Sequence, residues 1–558
     1  MIQIKKQPAA VWDEYQAGVQ FNDSINLYED VKQNENFFIG RQWEGVKAKN
    51  LIKPQFNILK RVVNYFISMV VSDDIAANIR PFLSEDGEQA AIFTKILSAE
   101  FDRIFEMCKL RDINRYTLRN AAVHGDASLY LYHNPDAESG QEAEGRVDVE
   151  LIDTTELIPA NMRSADIQKQ RYLLIVARRE VDEVKEEAKA NGVPDEQIER
   201  IQPDMGGETR TEWGQQDTNR VTVILKLWKE NGTVHAMKTT QDCVVMPERD
   251  TEYTLYPVAY LRWEPMRDQF HGMGAIAGEI PNQIFINKMF AYTMASIERS
   301  AFPVTVYNRR KLPNGLSRDP TAAYGVDGTP TEALFVQQGG QEISAQVAQF
   351  VDKTLEYTRD TMGASDAALG NIRPDNNSAI IAVQKASAAP LELQKMAFYQ
   401  FVEDYVRIIM DIVSTDYGVR KVSYTDENGE EAIQDFDFSQ LKGMHLKVNV
   451  DIGAASMWSE VTQMQTMDNL FAQKIIDDPI VYLESIPDGV LSNRGALITH
   501  LKQQRAQQEQ MMRAQQAAQA GQGGAIDPAR VLAQLSDEER AQLEANPEIT
   551  AQVFGTEE

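Results

Sequence analysis

Residues 271–307 read HGMGAIAGEIPNQIFINKMFAYTMASIERSAFPVTVY, and the chain after them runs on to Gly418 in a succession that decides the fold. Over 278–301 the spacing predicts a helix, with Pro281 near its first turn, where a missing N–H is tolerated. Ile284, Phe285, Ile286, Met289, Phe290, Tyr292, Met294 and Ile297 cover more than one of its faces. A helix apolar on several sides is enclosed on several sides, so packing against its own chain and against a neighbouring copy is expected. With a rise of 1.5 Å per residue it spans roughly 36 Å.

Phe302-Pro303 ends that helix. Residues 304–307 (VTVY) and 333–336 (ALFV) bracket a stretch punctuated by Pro313, Gly315, Pro320, Gly325, Gly328 and Pro330, which reads as a compact excursion of short strands and turns. Residues 342–361 return as a helix. Ile343, Val347, Phe350, Val351, Leu355 and Met362 form one stripe, with Asp352, Lys353, Glu356 and Asp360 opposite.

Residues 363–377 (GASDAALGNIRPDNN) have few apolar anchors and several residues that tolerate unusual backbone angles, the composition of a functional loop. Ser378 then caps a helix reaching about residue 414, and Pro390 removes one backbone donor and kinks it. Leu391, Met396, Phe398, Phe401, Val402, Tyr405, Ile408, Ile409 and Ile412 predict deep burial beyond the kink.

Outward from this stretch, residues 1–126 read as mainly helical, with helices near 57–72, 87–107 and 111–123, the last ended by His124-Gly125. Strands follow at 128–133, 146–152, 172–177, 221–228, 233–238 and 254–262, and Asn231-Gly232 is a hairpin signal. A helix is expected at 181–190. Beyond the long helix come a hairpin around 426–429, a strand at 446–452, helices at 458–473 and 478–485, and a helix from 492 running into a glutamine-rich tract.

This order resembles the portal, or head-to-tail connector, proteins of tailed double-stranded-DNA bacteriophages. Residues 28–43 (YEDVKQNENFFIGRQW), followed by Pro54-Gln55-Phe56-Asn57 and a helix, are similar to that family's opening, and residues 121–128 (AAVHGDAS) to the small-residue turn before its wing sheet. The likeness covers most of the first 500 residues as an order of elements, and its motifs are degenerate. It implies an α+β portal-type fold: a wing over 1–270, stem helices over 271–301 and 342–362, a clip over 302–341, a tunnel loop over 363–377, the long kinked helix over 378–417, wing-return strands and helix over 418–475, crown helices over 476–520, and a tail over 521–558.

The resemblance also implies a function. Such a chain forms a ring of about twelve copies, joined by dissimilar faces repeated round the axis. The ring sits at one capsid vertex of the virion, conducts double-stranded DNA, and contacts the terminase large subunit, the major capsid protein and head-completion or adaptor proteins. Gly363, Ser365, Asp366, Arg373, Asn376 and Asn377 fall in the tunnel loop. There Arg373 either touches phosphates or orders the loop through Asp366 or Asp375. Arg309, Arg310, Lys311 and Arg318 fall in the clip, as a partner contact or a solvated turn. The alternative is another virion component, such as a neck, baseplate or adaptor ring. Further off is a nucleic-acid-processing enzyme with a diverged site.

Composition bounds these readings. A chain of 558 residues, 43% hydrophobic and 25% charged, has enough apolar material for several cores. The net charge of −27 argues against tight nucleic-acid binding, which needs lysine and arginine to neutralise phosphates. In a conduit, an acidic wall keeps DNA contacts weak; solubility alone is the other account of the charge. The apolar window at 62–71 is too short for a bilayer crossing, and the first six residues lack the apolar core of a secretory signal. Cys108 and Cys243 read as reduced, buried thiols of a protein made in the host cytoplasm.

Catalytic motifs are missing from the sequence. His271-Gly272-Met273-Gly274 and the glycines at 521–524 lack the lysine of a phosphate-binding loop. The six histidines show no metal-ligand spacing, and no serine sits in a nucleophile elbow. No enzyme activity, cofactor or metal is expected.

Overall fold

The computed structural model describes residues 4–48, 51–71, 75–81, 88–141, 145–204, 219–301, 304–306, 308–311, 328–329, 336–338, 345–362, 391–425, 431–442, 446–452, 457–473, 475–476, 478–484, 486, 497–498, 500–502 and 504–505. The chain divides into two units, Met1–Ala454 and Ala455–Glu558. The architecture is mixed α+β with several separate sheets, in agreement with the coarse class read from the sequence.

The first unit opens with helices α1 (Pro8–Ser24), α2 (Leu27–Ile39) and α3 (Ile58–Val70). Gly40, at a φ of 96°, ends α2 in the left-handed region where a side chain is disfavoured. Asn57 caps α3 by accepting from the Lys60 N–H at 3.0 Å. Leu59, Val62, Val63, Phe66 and Val70 then fall on one buried face at helical spacing. Strand β1 (Ile75–Pro81) and helices α4 (Glu88–Met107) and α5 (Leu110–His124) follow.

Two antiparallel sheets come next. Strands β2 (Asp126–Asn134), β3 (Arg146–Ile152), β4 (Leu157–Pro159) and β5 (Tyr172–Glu180) precede the short helices α6 (Val181–Ala190) and α7 (Asp195–Ile198). Strands β6 (Arg220–Glu230), β7 (Thr233–Thr239), β8 (Val244–Asp250) and β9 (Val258–Arg262) complete the set. One sheet has the order β3-β2-β9 and the other β4-β5-β6-β7-β8. At the β6–β7 turn Asn231 and Gly232 have φ of 54° and 96°, the pair of positive angles that a two-residue hairpin with the strands' own twist demands.

Helix α8 (Ile280–Ala301) follows a single 3-10 turn at Ala277–Glu279. Strands β10 (Val304–Val306) and β11 (Val336–Gln338) pair antiparallel, and α9 (Ala345–Thr361) comes after them. Helix α10 (Glu392–Asp416) leads to a hairpin of β12 (Val419–Thr425) and β13 (Glu431–Asp437), then to β14 (Leu446–Ile452), which pairs with β1 and joins distant parts of the unit. Pro390 and its kink lie outside the described residues.

Helix α10 is the hub of the main core. Phe398, Phe401, Val402, Tyr405, Ile408, Ile409 and Ile412 are buried there, as their spacing predicted. Met396 departs from that expectation at 65% exposure; it shares with Leu393, 75% exposed, the face of α10 turned away from the core, while Leu391 and Phe398 on either side are buried. A second core, under α1, joins Val11 and Tyr15 to Ile158, Leu174, Ile224 and Trp228 of the five-stranded sheet.

The second unit contains α11 (Met457–Ala472) and α12 (Pro479–Glu484), linked by a hydrogen bond from Tyr482 to Asp468 and by ring contact between Phe471 and Tyr482. Among the described residues no helix is long and apolar enough to cross a membrane.

Candidate functional site

The segment α8–β10–β11–α9 carries the features that local packing does not explain. On α8, Ile280, Ile286 and Ala291 are buried, while Tyr292 and Ile297 are each 58% exposed. On α9 Val351 and Thr358, and just beyond it Met362, pack inward, and Asp352, Lys353, Glu356 and Asp360 face water. Phe350, expected on the packed stripe, is 61% exposed, and Tyr357 is 62% exposed. Phe350 still meets Phe285 of α8 edge to face, with centroids 5.8 Å apart, so it bridges the two helices and offers its other face outward.

The root of α8 is held by polar contacts that the apolar pattern hid. Gln283 and Asn287, one turn apart and buried, form a ladder. Gln283 donates to the Phe56 carbonyl at 2.7 Å and to Asn287 at 3.0 Å, and Asn287 donates to Gln42 at 2.6 Å. Gln42 belongs to the FFIGRQW stretch. Trp43 beside it donates to the Pro54 carbonyl at 2.7 Å, and Phe56 packs on Phe290 with centroids 4.4 Å apart. The opening motif is therefore a clamp on α8. The signal in the sequence was a pair of amides at i and i+4 inside an otherwise apolar helix.

A second fastening joins the two histidine-glycine sequences. His271 Nδ1 lies 2.9 Å from the Asp126 carboxylate, and the Gly272 N–H donates to the same oxygen at 3.2 Å. A Cβ on Gly125 would overlap the Gly272 carbonyl oxygen, and one on Gly274 would overlap the Val123 carbonyl, so glycine permits backbone to touch backbone here. Close by, Glu35 accepts two hydrogen bonds from Arg119, at 2.5 and 2.6 Å, and lies 3.1 Å from His124 Nε2. A cavity of about 600 Å³ opens at this root, bordered by α2, by residues 266–274 and by the first turns of α8.

Of the predicted partner contacts, Arg309 and Arg310 are exposed in a turn in which the Lys311 N–H donates to the Asn308 carbonyl at 3.1 Å. The Arg310 N–H donates to the Asn308 side chain, also at 3.1 Å. Arg318 lies outside the described residues, as do Gly363, Ser365, Asp366, Arg373, Asn376 and Asn377.

Spacing along the chain also missed a three-strand cluster of Glu230, His235 and Glu248. The Lys6 ammonium sits 3.2 Å from Glu230 and 2.8 Å from Glu248, so a tethered cation already matches these carboxylates. Cys108 is part-buried, its thiol pushed up to about 11 by burial, which leaves it protonated and unreactive at neutral pH.

Compared with known proteins, the chain matches no family model, and a search of curated proteins gives no match.

Proposed function

We propose that the chain is the subunit of a portal-like ring that conducts double-stranded DNA at one vertex of a virus capsid. The single observation that carries the reading is the exposed apolar side chains Tyr292, Ile297, Phe350, Tyr357, Leu393 and Met396 on α8, α9 and the start of α10. Scattered single apolar residues on a surface need no explanation, but this many large ones on three helices call for a partner. A second copy of the chain fits, because a closed ring repeats one contact between two dissimilar faces.

In this reading β10–β11 and the Arg309–Arg310 turn form the clip that meets the packaging motor and later the adaptor, residues 363–377 form the tunnel loop, and the acidic chain keeps DNA contacts weak. The major capsid protein surrounds the ring, and the mechanism is mechanical rather than covalent. Replacing Ile297 and Tyr357 by aspartate tests the assignment. The account expects the double variant to keep its circular dichroism spectrum and lose its assembly, by native mass measurement. An unchanged assembly would remove the carrying observation.

A further inference from the structure

The cavity at the root of α8 lies within the range of volumes that hold small ligands. Its lining divides by chemistry. Leu27, Ile280 and Ile284 supply aliphatic surface, whereas Asp30, Asn34 and Gln269 supply carboxylate and amide groups. Among the described residues no lysine or arginine lines it.

Both lining histidines are already engaged by carboxylates, His124 by Glu35 and His271 by Asp126. Arg119 answers the charge of Glu35, but among the described residues no lysine or arginine pairs with Asp30 or with Asp126. Burial, with Glu29 beside it, pushes the Asp30 carboxyl above its ordinary value, as expected of a carboxylate that lacks a cation. Negative charge at the rim of a partly apolar cavity favours a ligand that is apolar along its stem and positive at its tip.

We propose that this cavity binds an aliphatic cation, an alkylammonium or alkylguanidinium group, with its stem on Leu27, Ile280 and Ile284 and its head at Asp30 and Asn34. The site stands independently of the ring reading. Two sources share this chemistry: a free amine in solution, and a lysine or arginine side chain of a second copy.

The probe is n-butylammonium chloride, titrated calorimetrically into the full chain, with n-butanol and sodium butyrate as neutral and anionic controls. Asp30 is exposed, so Asp30→Asn tests the head contact without disturbing a core. The cation should bind at least tenfold more tightly than either control, and Asp30→Asn should weaken it at least tenfold. Binding by monomer and assembly alike identifies a free amine as the ligand, and binding by the monomer alone identifies a side chain of a second copy. Equal affinity for n-butanol, an unchanged affinity in Asp30→Asn, or no binding by either form overturns the proposal.

Discussion

His271 and Asp126 are 145 positions apart in the chain, yet Nδ1 of one lies 2.9 Å from Oδ2 of the other, with both side chains 1% exposed. Helix α5 ends at His124 and α8 begins shortly after His271, so this contact fixes where α8 starts relative to α5 and β2. Asp126→Ala strands a buried imidazole and the Gly272 N–H together. It should cost about 3 kcal/mol in urea unfolding, as breaking a buried ionisable pair does. A loss below about 1 kcal/mol would mean the pair is relaxed by water.

The amide ladder supports a second prediction. Asn287→Ala removes the donor to the buried Gln42 side-chain carbonyl oxygen and one of the two acceptors of the Gln283 amide, which should destabilise by about 2 kcal/mol. Lys288→Ala, exposed on the same helix, should change stability by less than about 0.5 kcal/mol. Equal effects of the two variants would show that the clamp on α8 does not depend on the ladder.

Glu14 and Lys226 make the third. The Lys226 side chain is 0% exposed; its ammonium donates to Glu14 at 2.5 Å and to the Lys5 carbonyl at 2.8 Å. Burial lowers its pKa, with the Glu14 hydrogen bond acting against that. Glu14→Gln should cost about 3 kcal/mol, while Glu14→Leu combined with Lys226→Met should lie nearer to wild type, because two apolar groups leave no orphaned charge. Thermal unfolding of the three proteins decides it.

Acid unfolding gives the fourth. Burial pushes the Glu35 carboxyl up, but hydrogen bonds from His124 and Arg119 outweigh it and hold the carboxyl below its ordinary value. A depressed carboxyl stabilises the fold above its unfolded-state pKa, and that contribution is lost as pH falls through the folded value. Wild type is therefore expected to lose stability faster than Glu35→Gln as the pH drops below about 4.5, and the two should converge in acid. Parallel pH profiles would contradict the assignment.

What was legible in the sequence followed local period. The alternation and turn chemistry around Asn231-Gly232 placed β6 and β7, and the apolar spacing of α10 placed its buried core residues. The strand β1 was not seen, because its pairing with β14 joins residues such as Ile75 and Ile452 that no local window contains. Phe350 misled for a related reason: its period put it on the packed face, whereas its side chain is 61% exposed and meets Phe285 edge to face. The cavity and the paired histidines depend on contacts across the fold, which residue spacing alone does not encode.

The central claim is assembly, and direct imaging of the purified chain with native mass measurement tests it most closely. The account predicts closed rings of about twelve copies with an open axial hole, built from one repeated contact between dissimilar faces. A monomer, or a trimer or hexamer without that hole, would contradict it.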